Sequence, residues 1–591
     1  MILAISLVVK KARVGSGQAP APSLAAGEGV PERESGLWRG VVGWIIGAAS
    51  ESALAGCPTP CHRSSGGSSE LRFAMTKTSE PRTNLWDGSS ATGRVFLVGA
   101  GPGDPGLLTL RGLECLQQAD LVLYDGLVNP LLLEHTTAVC ERTQREPSGG
   151  RRVLDQDSIN CRLVSEARAG RTVVRLKGGD PLVFGRGAEE ARVLAEAGVP
   201  FEIVPGITAA TAAAAYAGIP LTHRHKSSAV LLVTGHEDPT KEDSAIDYRL
   251  LAAFSGTLVF YMGLDRLEEI VSRLLEAGRD SATPAAVISR GTLSDQKTVT
   301  GDLVELPGLV SAAAMTAPSL IVIGECVTER ESIAWFETRP LLGRSVGITR
   351  PVGQAGEVVS RLVRLGAEPV LMPTIEIGPP ESLDAVDRVL DRLEEFDWIV
   401  FSSTNGVSGL LGRLWDRGDD VRRLIGCRLA AIGPATAEAL AKYGLRADLV
   451  PETYRAEALA ESLSPLVDGA RVLWARANRG REVLCELLGA AGASLEQVVV
   501  YRNEDVESFP SEVLERLSAG AIDWIGLSSP SIARGVARLT ADRPLSLEST
   551  RLASISPVTS QAAVEAGLEI AVEAVESTWD GLLDAIVLAE S

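Results

Sequence analysis

Short apolar runs alternate with amphipathic stretches from residue 94 to the end of the chain. Apolar runs of this length are typical of buried strands, and apolar residues every three to four positions are typical of helices. In the first half the predicted strands are 94–98, 121–125, 171–176, 201–204, 229–234, 257–261, 285–289 and 319–324. The helices predicted in the first of these stretches are 107–119, 158–169 and 189–197. Because strand and helix alternate, the pattern predicts an α/β fold built from βαβ units.

The C-terminal part of the chain repeats its own pattern with a period of 126 residues. Trp398–Ser403 recurs as Trp524–Ser529, and Arg350, which ends one predicted strand, recurs as Arg476. Positions matched at one period indicate a duplicated α/β unit, with two similar lobes that face each other and a ligand between them. Chance similarity between two βα units is the alternative.

Changes in composition predict the domain organisation. Residues 1–93 are rich in Gly, Ser, Pro and Ala and have weak periodicity, which is typical of a disordered extension. Met75 is an alternative start for the chain. The ordered pattern then predicts a two-lobed unit over 94–330, a linker over 331–342 and the duplicated unit over 343–591.

Charge and cysteine content narrow the possible function classes. The formal net charge of -19 argues against general nucleic-acid binding, and an anionic substrate would need a local basic pocket. The eight cysteines form no CxxC pair, and Cys57 and Cys61 are a lone pair in an irregular segment, so no metal site is expected. This cysteine usage indicates the reducing cytoplasm, and no apolar run reaches the length of a membrane span.

One predicted strand ends in charged residues beside two glycines. Arg175–Pro181 reads Arg-Leu-Lys-Gly-Gly-Asp-Pro, and Phe184–Gly187 follows closely. Adjacent glycines leave bare backbone that a ligand can approach, and ligands collect at the carboxyl ends of parallel strands. A tight turn with solvated charges is the alternative. Gly99, Gly101 and Gly103 lack the dinucleotide-binding spacing, and the neighbouring prolines disfavour a nicotinamide site.

Eight ordered segments of the first half carry related motifs. They are Val98–Pro105, Leu123–Val128, Gln156–Asn160, Arg175–Gly187, Val204–Ala209, Tyr216–Arg224, Val233–His236 and Val259–Gly263. Together they closely resemble the tetrapyrrole methylases, and among these the uroporphyrinogen-III C-methyltransferases. The resemblance covers residues 94–330. It implies two α/β lobes with S-adenosyl-L-methionine in the cleft between them, and a homodimer.

The resemblance also assigns residues to the cofactor. Carried over by position, the contacts to S-adenosyl-L-methionine are Pro102, Gly178, Gly179, Asp180, Val183, Thr208, Ala209, Met262 and Gly291. Glycines admit backbone contacts to a ligand. Met262 offers a soft apolar wall, although a single methionine is more often a gap-filler in the core. No metal cofactor is expected.

Methylation of a pyrrole carbon needs a base and partners for the substrate carboxylates. The resemblance assigns the base to Asp125 of the Tyr-Asp-x-Leu-Val motif, and a carboxylate at a strand end suits that role. The family commonly has a lysine with an acid role before Gln156. Ungapped counting puts Pro147 there, and a gapped match puts Arg142 or Arg145 there. Side chains suited to bind the carboxylates are Lys177, Arg186 and Arg224.

The second half offers strand-end arginines and hydroxyls instead of a catalytic cluster. Its motifs are Gly347–Pro351, Phe401–Val407, Ile432–Ala437, Val450–Tyr454, Val499–Arg502 and Leu527–Pro530. Over residues 343–588 they look like the uroporphyrinogen-III synthases, a family that closes linear hydroxymethylbilane into a macrocycle. The resemblance matches Tyr501 to a tyrosine that assists departure of the hydroxyl, and it matches Thr436 and Thr559 to threonines of Pro-x-Thr turns.

Facing lobes with such side chains also suit a substrate that carries several carboxylates. Arg350 and Arg476 are the candidates for binding these groups. For each hydroxyl taken alone, capping of a helix is the alternative, because Ser and Thr are preferred caps.

The two resemblances predict one bifunctional enzyme. The predicted fold class is α/β, with a two-lobed tetrapyrrole methylase followed by a duplicated two-lobed uroporphyrinogen-III synthase unit. The second half would make uroporphyrinogen III, and the first would methylate it twice to precorrin-2 for sirohaem or cobalamin. The alternatives are a methylase that acts on a later precorrin, RNA or protein, and a second half that only binds or regulates tetrapyrrole. Small tetrapyrroles are the expected partners, without nucleic acid or membrane.

Overall fold

The computed structural model describes residues 93–143, 155–236, 246–480, 482–541 and 547–591. The predicted extension up to residue 92, Cys57, Cys61, Arg145 and Pro147 lie outside the described residues. Within the described ranges, no helix has both the length and the apolar character needed to cross a bilayer.

The first sheet of the structure is fully parallel and has the strand order β3-β2-β4-β1-β5. Its strands are β1 Arg94–Gly99, β2 Leu121–Tyr124, β3 Val139–Arg142, β4 Thr172–Lys177 and β5 Phe201–Val204. Apolar side chains of β1, β2 and β4 are buried on both faces of the sheet. Burial on both faces explains why these strands are continuous apolar runs in the sequence.

The second sheet is mixed and has the order β6-β7-β10-β8-β9. Its strands are β6 Val230–Thr234, β7 Thr257–Tyr261, β8 Pro284–Ser289, β9 Lys297–Asp302 and β10 Ser319–Ile323. Strands β6 and β7 are parallel, whereas β10 runs antiparallel to both β7 and β8, and β9 is antiparallel to β8. The helices of this half are α1 Leu110–Gln117, α2 Gln156–Arg168, α3 Gly187–Glu196, α4 Ala209–Tyr216, α5 Tyr248–Ala253, α6 Leu267–Glu276, α7 Leu306–Ala312 and α8 Arg330–Ile333.

Two lobes also form the second half, and each has a five-stranded sheet. The sheet with the order β12-β11-β18-β19-β20 contains β11 Ser345–Ile348, β12 Glu368–Leu371, β18 Trp524–Leu527, β19 Arg551–Ser554 and β20 Val572–Glu573. The sheet with the order β13-β17-β16-β14-β15 contains β13 Ile375–Gly378, β14 Trp398–Phe401, β15 Arg428–Ala431, β16 Arg471–Ala477 and β17 Ser494–Asp505. The helices are α9 Gly356–Leu365, α10 Asp384–Leu390, α11 Thr404–Asp416, α12 Pro434–Ala441, α13 Ala456–Leu463, α14 Val483–Ala490, α15 Ser511–Ser518, α16 Pro530–Ala541, α17 Pro557–Glu565 and α18 Trp579–Glu590. The predicted α/β fold class is therefore confirmed in both halves.

Each lobe of the second half combines strands from both sequence repeats. Val346 of the first repeat pairs with Trp524 of the second, and Trp398 of the first pairs with Val472 of the second. The 126-residue period relates Val346 to Val472 and Trp398 to Trp524, so the two pairings are the same contact formed twice. The two repeats therefore exchange strands and are related by an approximate two-fold symmetry. One sequence repeat therefore does not form one lobe, because each repeat contributes strands to both lobes.

Two edge strands of the first half, β3 and β9, were not predicted from the sequence. In β3 two residues are exposed and two are half-buried, and β9 reads Lys-Thr-Val-Thr-Gly-Asp. An edge strand is covered on fewer sides, so it needs fewer apolar residues to be stable. The helix predicted from residue 107 begins later, at Leu110, because the Thr109 hydroxyl accepts a bond from the backbone N–H of Gly112 at 3.0 Å.

The segment predicted as a linker is ordered and packs on both halves. Trp335 Nε1 donates to the carbonyl of Ala215 at 2.9 Å, at the end of α4. The Arg339 guanidinium lies over the Trp335 ring at 4.7 Å and donates to the carbonyl of Val363 in α9 at 2.8 Å. Leu341 is fully buried in the core of the lobe that contains β11.

Candidate functional site

Three backbone segments meet at the carboxyl ends of β1, β4 and β5. Gly101 and Gly179 exchange backbone hydrogen bonds of 3.2 and 2.7 Å. A Cβ added to Gly99 would lie 2.5 Å from the nitrogen of Gly206, so no larger residue fits there. The Asp180 carboxylate accepts hydrogen bonds from the backbone of Leu182 at 2.8 Å and Gly206 at 3.1 Å and ties the segments together.

The structure brings most of the predicted cofactor residues to this edge. A Cβ on Gly178 would meet only the Leu127 Cβ, at 3.4 Å, and one on Gly179 would have Ala209 N as its nearest atom, at 3.8 Å. The backbone of these two glycines is therefore open to a ligand. The residues of the predicted set that lie in or beside these segments are Pro102, Gly178, Gly179, Asp180, Val183, Thr208 and Ala209.

The other two predicted cofactor residues come from the second lobe. Met262 follows β7, is 54% exposed, and has a left-handed backbone with φ of 53°. Gly291 follows β8, and a Cβ there would lie 2.4 Å from the Cβ of Ala213 in α4. Close packing of α4 is therefore enough to require glycine at position 291, and any cofactor contact there would use backbone atoms.

Left-handed backbone at residues other than glycine is concentrated around this edge. Such conformations cost free energy and cluster at functional sites. Of six cases among the described residues, five lie in the loops after β4, β7 and β8, namely Phe184, Arg186, Met262, Arg290 and Thr292.

A buried network of charged side chains lies behind Asp125. Arg175 is 2% exposed, and its guanidinium pairs with Asp125 through Nη2 and with Glu190 through Nε at 3.1 Å. The Asp125 side chain is 18% exposed, so the carboxylate remains accessible from the cleft edge. Thr143 Oγ1 also donates to Asp125, at 3.2 Å. The predicted base is thus held in place and still reachable.

The position of Lys177 does not fit the predicted contact with substrate carboxylates. It is 2% exposed, and its ammonium lies 2.9 Å from Glu190 Oε1. Burial lowers the pKa of Lys177, with a further lowering from Arg175 that Glu190 partly offsets. The reason is the burial of β4 on both faces, which covers even the last side chain of this strand.

The predicted arginines of the first half lie at the surface. Arg142 Nη2 donates to the carbonyl of Gly126, next to Asp125, at 3.1 Å. Arg186 pairs with Glu189 at 2.8 Å, and its side chain is 57% exposed. Arg224 is exposed as well. Arg142 and Arg224 remain available for a carboxylate at the protein surface, whereas Arg186 would have to give up its ion pair with Glu189 to bind one.

In the second half, Tyr501 meets a helix start. Its hydroxyl lies 3.0 Å from Oγ of Ser403, which also caps α11 by accepting from the backbone of Gly406 at 3.0 Å. Nearby, Gln354 Nε2 donates to Asn405 Oδ1 at 3.0 Å and joins the two lobes. Tyr501 therefore lies on the side of its lobe that faces the other lobe.

The two predicted threonines are buried and occupy equivalent helix starts. Thr436 in α12 is 4% exposed and Thr559 in α17 is 1% exposed. Thr559 Oγ1 lies 3.1 Å from the hydroxyl of Ser556, which caps α17. Such buried hydroxyls shape the first turns of the helices, and contact with a substrate would require these turns to open.

The repeated arginines differ in their surroundings. Arg350 is half-buried, lines a cleft of about 860 Å³ between α9 and α18, and has no hydrogen bond or ion pair to a described residue. Burial lowers the pKa of this guanidinium, and the charge of Glu357 offsets only part of that lowering. Arg476 is 7% exposed, lies over the Trp474 ring at 4.4 Å, and donates to Gln497 and to the carbonyl of Gly480. The position of Arg476 does not fit the predicted substrate contact, because its donors are already used.

Two residues of the first-half site were not found from the sequence. In the sequence Glu190 resembles an ordinary acidic residue of the first turn of α3. Tyr261, whose hydroxyl contacts Oγ1 of Thr208, resembles an ordinary residue at the end of an apolar strand. Glu190 could have been found from the pair Glu189–Glu190 directly after the glycine-rich segment, because a carboxylate at that place faces the charged end of β4.

Two protein families match separate parts of the chain. The family described as "Tetrapyrrole (Corrin/Porphyrin) Methylases" matches residues 94–307, and "Uroporphyrinogen-III synthase HemD" matches residues 356–584. Both resemblances seen in the sequence are therefore confirmed.

Relatives and solved structures match one half or both. "Siroheme synthase 1" of Klebsiella pneumoniae is 51% identical over 42% of this chain, which spans about half (51%) of that relative's length. A uroporphyrin-III-C-methyltransferase structure from Thermus thermophilus is 40% identical, covers 40% of this chain and 96% of its own, and has a TM-score of 0.34. A uroporphyrinogen III synthase structure from the same organism is 19% identical, covers 42% of this chain and 100% of its own, and has a TM-score of 0.31.

One relative matches both halves together. "Porphyrin biosynthesis protein HemD" of Ruminiclostridium josui is 34% identical over 84% of this chain and 98% of its own length. A match of this extent requires the same order of the two units in both proteins. The chain therefore belongs to the family of bifunctional tetrapyrrole-biosynthesis enzymes that join a methyltransferase to a uroporphyrinogen-III synthase.

Proposed function

We propose that the first half methylates uroporphyrinogen III twice to precorrin-2, with S-adenosyl-L-methionine as donor, and that the second half makes uroporphyrinogen III from hydroxymethylbilane. The single observation that supports the methylation most strongly is the Asp125 carboxylate, fixed by Arg175 and 18% exposed beside two bare glycines. One product is the substrate of the other half, which gives the fusion a chemical reason.

The residues present fit the methyl donor. Gly178 and Gly179 leave open backbone, and the exposed Met262 supplies an apolar side chain. A Thermus thermophilus C-methyltransferase has been solved with S-adenyl homocysteine. The residues proposed to hold the donor are Pro102, Gly178, Gly179, Asp180, Val183, Thr208, Ala209, Met262 and Gly291.

The chemistry divides between the donor and the protein. When bound, the sulfonium supplies a methyl group to a pyrrole carbon, which must then lose a proton. Asp125 accepts that proton at its carboxylate, while Arg175 and Thr143 fix the orientation of the carboxylate. Arg142, on the carbonyl beside Asp125, takes the place of the family's lysine as an anion partner. Arg186 and Arg224 bind substrate carboxylates.

Replacement of the base tests the methylase proposal. Asp125→Asn should lower methylation by at least about 100-fold, because general base catalysis supplies roughly that factor. Binding of the donor, measured by calorimetry on the full chain, should stay unchanged. The matched control is Asp302→Asn, which changes an exposed carboxylate at the end of β9. Full methylation by Asp125→Asn would overturn the assignment.

The second half acts by holding a folded conformer of the linear substrate between its lobes. The substrate's own pyrrole drives loss of the hydroxyl, so the protein mainly needs to position the chain. Tyr501, hydrogen-bonded to Ser403, assists departure of the hydroxyl. Arg350 binds a substrate carboxylate, whereas Thr436 and Thr559 fix the helix starts around the reacting groups.

A cyclisation assay on the full chain tests this second activity. Tyr501→Phe should slow formation of uroporphyrinogen III and leave more substrate to close spontaneously without inversion of the last ring, and chromatography separates the two products. Tyr454→Phe is the matched control, because Tyr454 is 62% exposed on the same half. If the unmodified chain does not cyclise hydroxymethylbilane, the second half is a binding or regulatory module instead.

Three further expectations belong to this proposal. We propose a homodimer through the first half, with light scattering of the purified chain as the test. The proposed domains are 94–330 and 343–591, joined by residues 331–342. A cytoplasmic location stays a prediction from cysteine usage.

A further inference from the structure

Glu190 is a fully buried carboxylate that neither proposed reaction uses. It lies in the first turn of α3 and is 0% exposed. Its Oε1 atom accepts from Arg175 Nε at 3.1 Å, Lys177 Nζ at 2.9 Å and Gln156 Nε2 at 3.0 Å. Its Oε2 atom has no hydrogen-bond donor among the residues that the structure describes. Burial of a charge on this scale requires compensation, which the two cations supply.

The charges of the buried network around Arg175 sum to zero. Arg175 and Lys177 carry two positive charges, and Asp125 and Glu190 carry two negative charges. Glu190 bonds to both cations, whereas Asp125 bonds to Arg175. Since nearby cations favour the charged form of a carboxylate, two uncompensated cations would make Asp125 reluctant to accept a proton.

We infer that Glu190 is a positioning residue for methyl transfer, because it holds Arg175 and Lys177 from the buried side and offsets their charge, and so keeps Asp125 able to accept a proton. This inference rests on the proposed role of Asp125 as the base. Glu190 itself does not reach the substrate, because it lies beneath Arg175 with no exposed surface.

Other charged groups face the network from the packed elements. Arg142 lies at the end of β3, Asp157 in the first turn of α2, and Arg186 and Glu189 at the start of α3. All four are exposed, and Arg186 is paired with Glu189, so solvent screens their effect on Asp125. Among the residues that the structure describes, the buried charges closest to Asp125 are those of Arg175, Lys177 and Glu190.

The dependence of methylation on pH tests the inference. Asp125 must be ionised to act, so the rate rises with pH along an acidic limb. Glu190→Gln removes the compensating charge, and the limb should move to lower pH by about one unit, with a lower rate at the plateau. Lys177→Met removes a cation, and the limb should move to higher pH. The double variant Lys177→Met/Glu190→Gln restores the balance and should return the limb towards that of the unmodified chain.

The matched control is Glu196→Gln, which removes an exposed carboxylate at the other end of α3. Its profile should be that of the unmodified chain. Donor binding and thermal unfolding are measured for every variant. If Glu190→Gln does not fold, the Lys177→Met profile decides, and an unmoved limb there overturns the inference.

The outcomes separate the inference from the proposed function. Should Asp125→Asn still methylate, the base assignment fails and the inference falls with it. Should Asp125→Asn be inactive while Glu190→Gln and Lys177→Met keep the unmodified profile, only the role of Glu190 is wrong. Loss of thermal stability in Glu190→Gln without any shift of the limb would also overturn the inference, because it shows a structural role alone.

Discussion

The hydroxyl of Tyr261 lies 2.6 Å from Oγ1 of Thr208 and joins the second lobe of the methylase to the start of α4. The same oxygen accepts a hydrogen bond from the backbone N–H of Ala210 at 2.9 Å, and the Phe184 ring lies 4.9 Å away, centroid to centroid. Burial raises the pKa of Tyr261, so its hydroxyl stays protonated at neutral pH. Residues proposed to hold the methyl donor are thus positioned by a strand end of the other lobe.

Removal of that hydroxyl should weaken both the fold and donor binding. Tyr261→Phe leaves the Ala210 N–H and the Thr208 hydroxyl without this partner, and we expect a loss of about 1–3 kcal/mol in the free energy of unfolding. The dissociation constant for S-adenosyl-L-methionine should rise, because the α4 start is no longer fixed. Chemical denaturation and calorimetry measure the two effects. Unchanged donor affinity would show that this contact does not position the site.

Two glycines with similar backbones should respond differently to alanine. Gly198 and Gly218 have φ of 68° and 71°, but a Cβ meets nothing within 4 Å at Gly198 and lies 2.8 Å from backbone atoms of Ala334 at Gly218. Gly198→Ala should cost about 1–2 kcal/mol from the left-handed backbone alone. Gly218→Ala should cost roughly 1–3 kcal/mol more, because it overpacks the contact with the connecting segment. Equal losses in urea unfolding would show that this segment does not pack on α4 in solution.

The repeated arginines provide a matched pair for the second activity. Arg350→Ala should raise KM for hydroxymethylbilane about tenfold and leave thermal stability nearly unchanged, because its guanidinium forms no hydrogen bond or ion pair with a described residue and has only a longer-range attraction to Glu357. Arg476→Ala should mainly lower stability, by about 2 kcal/mol, because it leaves Gln497 and the Gly480 carbonyl without their donor. Steady-state kinetics and thermal unfolding separate the two, and the reverse pattern would refute this assignment.

Asp523 should make the stability of the second half depend on pH. Burial alone would raise the pKa of Asp523, but hydrogen bonds from the backbone and side chain of Ser345, at 2.8 Å each, and from Arg344 outweigh it, so the pKa is lowered. A lowered pKa stabilises the fold above the ordinary value, near 3.9, and this contribution is lost as the pH falls through the folded-state pKa.

The Asp523→Asn variant tests this dependence. At pH 7 it should lose about 1–2 kcal/mol of unfolding free energy, a modest figure because the carboxylate is partly exposed. At about pH 3 the difference from the unmodified chain should shrink, since the carboxyl of Asp523 is then largely protonated in the unfolded chain and the gain from its lowered folded-state pKa is smaller. Urea unfolding at the two pH values measures it, with Asp302→Asn as the surface control. A difference that does not change with pH would contradict the role of the charge.

Apolar patterning located the central strands because they are buried on both faces. The run from Arg171 to Leu176 corresponds to β4, and 94–98 corresponds to β1, each within one residue at the ends. The edge strands β3 and β9 were missed, because an edge can be polar and still pair through its backbone. Glycines at strand ends pointed correctly to a place of close backbone approach, since a missing Cβ is visible in the sequence itself.

Sequence alone determined the α/β class, the two families and the duplicated pattern of the second half, because periodicity, glycine positions and ordered motifs are local properties of the chain. Only the tertiary structure decided which strands share a lobe, since Val346 and Trp524 are brought together by folding across the whole second half. It also decided that Lys177 and Arg476 bond to internal partners, whereas Arg350 forms no hydrogen bond or ion pair with a residue that the structure describes. A charged residue type shows what a side chain can bind, but its partners and burial depend on distant segments that folding brings beside it.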